Sequence, residues 1–361
     1  MDQDCNIREK YCSNEDYPVV LCIDEFGFIV KNADQPFASK PIADNRLTRN
    51  EWYDLLDRYE IDYCQFSEHI LHKRLLQRGV PILLRGKIWR TVLFKGRDSY
   101  ASRYLGIHEG LYKISLDQIY HKLGLDSAKL KQLQRIIKRD KYVEMCQKTC
   151  GYEYQIHVDI QRTFRHHYLF SNSYGKGQTE LFNILVAFAN KFKRVGYCQG
   201  MSDIAAVFLM QYEEFEAYEM MATFFKKNKL SCLFDSNFTK LPKLIKMQIK
   251  LLQKVAPATY DCLNRYLNSI EIHLVTWYLT FFTRFHIRLC LRIWDYMMYY
   301  GFEYCLYFVC AIFKAQENRL KDLNEEQFVQ FLSRIEQEVF DENEIVDLAT
   351  VFMESLDLKQ L

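Results

Sequence analysis

Three short segments combine residue types able to grip or steer a reacting group. Asp159 and Arg162 stand three positions apart in Ile156-His157-Val158-Asp159-Ile160-Gln161-Arg162. Tyr197 and Gln199 lie in Gly196-Tyr197-Cys198-Gln199-Gly200-Met201. Arg85 and Trp89 stand four apart in Leu84-Arg85-Gly86-Lys87-Ile88-Trp89, just after Arg78-Gly79-Val80-Pro81. An arginine presents a planar, permanently charged fork of donors that suits an oxyanion. A glutamine carboxamide both donates and accepts, so it can orient a water without being a strong base. A carboxylate three residues before an arginine shares its helical face and can hold it. Each segment also has a plain structural reading. Asp159 and Arg162 could be an ordinary helix ion pair, Arg85 and Trp89 a stacked surface pair, and Gly196 and Gly200 the turn before a buried helix.

Other constellations are less complete. His157 and Asp159 with His166 and His167 have the residue types of a metal-dependent phosphohydrolase, yet no second carboxylate cluster completes the set. Cys146 and Cys150 are one helical turn apart but lack the second cysteine pair of a zinc framework. They read as core or surface thiols, and no metal site is expected. Cys198 reads as a small buried packer whose oxidation would bear on Tyr197 and Gln199. No Gly-rich phosphate loop of the nucleotide-binding kind occurs in the sequence.

The elements that must position these residues read as helices. No proline lies between Pro81 and Pro242, and none follows Pro257. Thr48 with Glu51 has capping-box spacing, and Trp52, Leu55 and Leu56 follow on one face. Leu71–Phe94 reads as a basic helix pair around the 78–81 turn, with Pro81 opening the second helix. Leu125–Tyr142 reads as a helix with Leu130, Leu133, Ile136 and Ile137 inward. Glu180–Phe192 and Asp203–Tyr212 are apolar nearly all round and should lie in the core. Leu241–Val255 is amphipathic, with Leu241, Leu244, Leu252 and Val255 opposite a stripe of Lys240, Lys243, Lys246, Lys250 and Lys254. Glu271–Phe285, Ile287–Tyr300, Tyr304–Gln316 and Glu325–Phe340 complete an all-α reading. Near the start, Val19–Ile23 and Phe28–Val30 flank Asp24-Glu25-Phe26-Gly27, as either one short hairpin or an extended arm laid on the body. The acidic residues Asp341, Glu342, Glu344, Asp347, Glu354 and Asp357 read as a solvated helical face.

Composition narrows the class. Of 361 residues, 49% are hydrophobic, enough for a large core, and 26 Phe with 25 Tyr exclude disorder over most of the chain. Lys plus Arg less Asp plus Glu is 48 − 46 = +2, which gives no general electrostatic case for nucleic acid. The opening MDQDCNIREKYC carries acids and no apolar stretch, unlike a secretory signal. The apolar runs Leu274–Phe282 and Tyr304–Phe313 fall short of the roughly 20 residues a membrane span needs. Cys290, Cys305 and Cys310 sit in apolar runs as reduced core residues would. A cytoplasmic protein is expected.

Taken together and in order, the three segments resemble the TBC domain family, the GTPase-activating module for Rab GTPases. The fingerprints R-x-x-x-W, I-x-x-D-x-x-R and Y-x-Q stand as Arg85…Trp89, Ile156…Asp159…Arg162 and Tyr197…Gln199. Gly177-Gln178…Leu181, Val195 through Met201, Trp277…Phe281-Phe282 and Arg292-Ile293-Trp294-Asp295 extend the similarity. Phe192-Lys193-Arg194 departs from the Asn-Pro common in the family before Val-Gly-Tyr. The resemblance implies an all-α, two-lobed TBC domain over 79–320, its first lobe about 79–225 and its second about 226–320. An irregular arm (1–45), a helical lead-in (46–78) and an acidic helical segment (321–361) would flank it. It implies an enzyme activator acting on a GTP-loaded Rab in vesicle traffic, with Arg162 as arginine finger and Gln199 as a second, glutamine finger. Asp159 would support Arg162, Tyr197 would pack and contact the GTPase, and Arg85 and Trp89 would be framework or a GTPase contact. GTP and Mg²⁺ would come with the partner, so no cofactor of its own is expected. The lysine stripe reads first as a solvated face; because Rabs work on membranes, Lys243, Lys246 and Lys250 could instead touch anionic lipid, or an acidic GTPase surface, the former placing the protein peripherally on endomembranes. A catalytically silent Rab-binding adaptor is the competing reading, and a metal-dependent phosphohydrolase the distant third.

Overall fold

The computed structural model describes residue 11 and residues 23–29, 76–93 and 127–361. The Thr48 cap and most of the lead-in lie outside these residues. Among the described residues the regular structure is helical, with only isolated bridges in the arm. The chain runs through α1 (Ile82–Leu93), α2 (Ser127–Gln147), α3 (Glu153–Ile160), α4 (Lys176–Lys191), α5 (Met201–Leu209), α6 (Glu214–Lys227) and α7 (Leu241–Val255). It continues through α8 (Pro257–Asn264), α9 (Leu267–Leu279), α10 (Ile287–Tyr300), α11 (Cys305–Ala315), α12 (Glu317–Leu320), α13 (Glu325–Arg334) and α14 (Glu342–Ser355).

Local chemistry sets the boundaries. Proline stands just before α1, in the first turn of α7 and at the first position of α8, where its missing N–H costs nothing. Asn324 and Gln327 form a reciprocal capping box at α13, and Asp341 caps α14. Gly79 has φ 102, and a Cβ there would meet the Arg292 guanidinium at 2.5 Å, so the turn before α1 requires glycine.

The core is aromatic. Trp89, Trp277 and Trp294 are fully buried, and Trp89 stacks on Trp294 with ring centroids 5.6 Å apart. Each indole N–H has a partner: Asp295 Oδ1 at 2.7 Å, Glu336 Oε1 at 2.8 Å and the Phe281 carbonyl at 2.8 Å respectively. That satisfies the one polar atom each ring carries inward.

Three sequence expectations need correction. Ile136 and Ile137 are 49% and 40% exposed. The packed face of α2 is phased on Lys138, Tyr142, Met145 and Cys146, which meet α4 and α6, and both isoleucines fall on the far side. The side chains of Leu130 and Leu133 lie outside the described residues. Second, α9 stops at Leu279 rather than continuing to Phe285. Phe281 and Phe282 take positive φ of 49° and 64° and turn both rings into the core, where neither is exposed. Left-handed backbone costs about 1–2 kcal/mol per residue, and burying each ring returns about 1.5–3 kcal/mol. Third, α13 stops at Arg334 and tightens into a 3-10 turn at Ile335–Gln337. The acidic residues Asp341, Glu344, Asp347, Glu354 and Asp357 are exposed as expected, while Ile345, Val346, Ala349 and Phe352 on the other face of α14 are buried and α14 packs along α11.

Of the arm only residues 11 and 23–29 are described, the rest of Val19–Val30 lying outside the described residues. Asp24 Oδ1 accepts from the N–H groups of Phe26 and Phe28 and shapes a turn closed by an Ile23–Ile29 bridge. Phe28 then bridges to His167, which fastens the turn to the body.

Candidate functional site

Asp159 lies in the last turn of α3, and Arg162 follows where that helix unwinds. Arg162 is therefore at a helix exit, with its side chain 59% exposed. Its Nη2 donates to Asp159 Oδ1 at 2.6 Å. The other carboxylate oxygen, Oδ2, accepts from the Tyr197 hydroxyl at 2.7 Å. Asp159 and Tyr197 are both buried. Burial, then the bond to Asp159, pushes the Tyr197 phenol well above its ordinary range, so it remains a donor. Below them, Thr163 Oγ1 sits 2.9 Å from both the Asp159 carbonyl and Ser202 Oγ of α5. The Asp159–Arg162 and Tyr197–Gln199 segments are thereby fastened together through one carboxylate and one hydroxyl pair.

Gln199 stands on the loop between α4 and α5, exposed and without a hydrogen bond from its side chain to any described residue. Glycines brace that loop. Gly196 has φ 62, and a Cβ there would collide with the Tyr152 ring at 2.4 Å. Gly200 has φ 95 and leads directly into α5. Cys198, half-buried between Tyr197 and Gln199, has its thiol pushed up by burial and so stays protonated.

Arg85 and Trp89 are buried at 5% and 1% exposure, so they are not a stacked surface pair. Both converge on Asp295 of α10: Arg85 Nε and Trp89 Nε1 reach Oδ1 at 3.0 and 2.7 Å. Arg85 Nη2 also donates to the Val80 carbonyl at 2.8 Å. Burial raises the Asp295 carboxyl, and the Arg85 charge opposes that. The sequence contained the signal for Asp295, since a carboxylate in the apolar run of α10 needs a cation.

Two further groups escaped sequence reasoning. Asp203, in the first turn of α5, has its carboxyl pushed up to about 6, chiefly by burial and then by Asp159, against the pull of Arg162 and Arg284. Glu336, 9% exposed, holds Trp277 and Arg284. No spacing rule links residues so distant in the chain.

The weaker constellations disperse. His157 Nδ1 faces the Tyr11 hydroxyl at 3.0 Å, and His167 Nε2 the Phe26 carbonyl at 2.9 Å. Among the described residues no three His, Cys, Asp or Glu side chains gather as a metal site would require. Lys243, Lys246, Lys250 and Lys254 are exposed on α7, but Lys240 turns inward to Glu303 and lies over the Phe302 ring.

A family profile described as the Rab-GTPase-TBC domain matches residues 82–321. The chain is 36% identical over 172 residues to a TBC domain-containing protein of Schizosaccharomyces pombe, across 45% of this chain and 39% of that protein. It is 30% identical over 202 residues to TBC1 domain family member 4 of Mus musculus, across 53% of this chain and 15% of that protein. The alignments thus span less than half the length of either relative. Among solved structures, a Chlamydomonas flagellar RabGAP TBC domain superimposes with a TM-score of 0.65 at 17% identity, over 91% of this chain and 99% of that one. The Ypt/Rab-GAP domain of Gyp1p gives 0.60 at 14% identity, over 84% and 98%. At these identities the structural likeness concerns the fold. No described helix is long and apolar enough to cross a membrane.

Proposed function

The chain belongs to the Rab-GTPase-TBC domain family, and from that premise we propose that it accelerates GTP hydrolysis on a Rab GTPase by supplying Arg162 and Gln199 in trans. Hydrolysis passes through a state with negative charge spread over the γ-phosphoryl oxygens. Arg162 neutralises that charge with its planar fork, an effect worth about 10³–10⁵ in rate, or roughly 4–7 kcal/mol of barrier. Gln199 aligns the attacking water, in place of the GTPase's own switch glutamine. Asp159 holds Arg162 ready, Tyr197 fixes Asp159, and Arg85 with Trp89 and Asp295 forms the framework behind them. GTP and Mg²⁺ arrive with the partner. The two lobes, about 79–225 and 226–320, would clasp the GTPase, and Lys243, Lys246 and Lys250 would meet anionic lipid on the membrane that carries it.

The observation that carries this reading is the Asp159 carboxylate, which holds an exposed arginine on one oxygen and the root of the Gln199 loop on the other. The test is phosphate release from a panel of purified GTP-loaded Rabs, with the parent protein, Arg162→Lys and Gln199→Ala. Stimulation of at least one Rab by the parent, lost in both variants, is expected. Lysine lacks the fork, so it should not substitute. A parent that binds a GTP-loaded Rab without stimulating it would instead be a silent adaptor.

A further inference from the structure

We propose that Arg284 is a second cationic contact for the docked GTPase beside the two fingers, and that Glu336 positions it. The proposal rests on the reading of the chain as a Rab partner.

Arg284 sits on the turn after α9, a segment with little freedom. Thr280 Oγ1 donates to the Thr276 carbonyl at 2.9 Å, and Thr283 Oγ1 to the Thr280 carbonyl at 2.8 Å. Phe281, Phe282 and Phe285 are all buried. The backbone is pinned, while the Arg284 side chain stays 55% exposed. Its Nε donates to Glu336 Oε2 at 2.6 Å. The other Glu336 oxygen is taken by Trp277 Nε1, so the carboxylate cannot swing away without stranding a buried indole. The two terminal guanidinium nitrogens make no hydrogen bond to any described residue.

This turn borders the proposed site. A Cβ on Gly200, next to Gln199, would lie 3.1 Å from Thr280 Cγ2. Arg162 and Arg284 both draw the Asp203 carboxyl toward its charged form. A pre-aimed fork with its outer donors free matches an oxyanion of the GTP-loaded partner, either a surface carboxylate or a phosphate oxygen. An isolated exposed ion pair would contribute little to stability and nothing to function. Here the pair is anchored in the core, and its glutamate comes from beyond the stretch that the family profile matches.

The test uses the full chain and, from the panel of GTP-loaded Rabs, the one with the strongest response. Arg284→Ala, Glu336→Gln and the double variant are compared with the parent for kcat and KM of stimulated hydrolysis. Thermal melts accompany each. Arg284→Ala should lower kcat/KM about tenfold while melting as the parent does. A rise in KM assigns the oxyanion to a carboxylate of the GTPase; a fall in kcat assigns it to the phosphate. Glu336→Gln should cost several-fold in the parent and nothing further in the Arg284→Ala background. Arg284→Ala within twofold of the parent overturns the contact. An equal Glu336→Gln loss with and without Arg284 overturns the positioning. If the parent binds a Rab without stimulating it, the dissociation constant is judged by the same tenfold criterion. A parent that neither binds nor stimulates any Rab rejects the functional reading and the contact together.

Discussion

The Tyr197 hydroxyl lies 2.7 Å from Asp159 Oδ2, although 38 positions separate the two residues. Arg162 occupies the other oxygen of that carboxylate. Tyr197→Phe keeps the ring packing and deletes only this bond. It should cost about 1–3 kcal/mol of stability, since Asp159 keeps a buried oxygen with one fewer donor. It should also lower kcat roughly tenfold by loosening Arg162. Phosphate release at saturating Rab, with a denaturant melt alongside, checks both, and full activity in Tyr197→Phe would detach Tyr197 from the finger.

Asp295→Ala should destabilise the protein by about 3–5 kcal/mol, because it leaves the buried Arg85 charge without its carboxylate. Trp89→Ala should cost a similar amount, about 3–5 kcal/mol, through the cavity it opens. Both act on one cluster, so the double variant should lose less than the sum. Urea unfolding measures all three. An unchanged midpoint for Trp89→Ala is incompatible with its 1% exposure.

If Gln199 supplies the water-aligning carboxamide, the GTPase's own switch glutamine becomes largely dispensable. A Rab with that glutamine changed to Leu should still respond to the parent protein and should fail to respond to Gln199→Ala. Normal binding with no stimulation of the altered Rab by the parent would leave Arg162 acting alone.

Charge reversal at Lys243, Lys246 and Lys250 should weaken binding to vesicles of mixed neutral and anionic lipid, each lysine being worth about 1 kcal/mol near the surface. Hydrolysis in solution should change little. Co-sedimentation at low salt reads this out; equal binding by parent and triple variant returns the stripe to a solvated face.

His167 anchors the arm, and burial lowers its pKa to about 4. The native state refuses a proton that the unfolded chain accepts below about 6.5. Its stability contribution is therefore complete above that pH and lost as pH falls toward 4, by up to roughly 3 kcal/mol. His167→Gln should flatten the stability curve between those limits. Asp203, raised to about 6, acts in the opposite sense, its contribution being lost as pH rises through that value. Asp203→Asn should accordingly be tolerated better at pH 7 than at pH 4. Urea midpoints across pH decide both signs.

The helices α7 and α10 begin and end at the expected residues, whereas α3 and α6 were not anticipated, although Phe215, Tyr218, Ala222 and Phe225 repeat along one face of α6. The motif order carried the family. What stayed hidden depends on contacts between residues far apart in sequence. Nothing near Phe281 announces that α9 must break, because the gain comes from Phe224, Phe234 and Phe302, which receive its ring. Ile136 and Ile137 look inward by composition alone, and only the placement of Tyr142 against α6 fixes the rotation of α2. Glu336 is invisible for the same reason: its partners, Trp277 and Arg284, are 59 and 52 positions away.

The family match ends at residue 321, but the core does not. Tyr307 of α11 donates its hydroxyl to the Leu356 carbonyl, and Tyr296 of α10 meets Thr350. A protein cut at the edge of the recognisable domain would leave a greasy flank of α11 facing water. Such a fragment would clump with its own copies or be held by chaperones, however complete the loops that carry Arg162 and Gln199. The length that can be expressed as a well-behaved sample is thus set by α14, whose last residue, Ser355, lies 355 − 321 = 34 positions past the point where the family stops being recognisable.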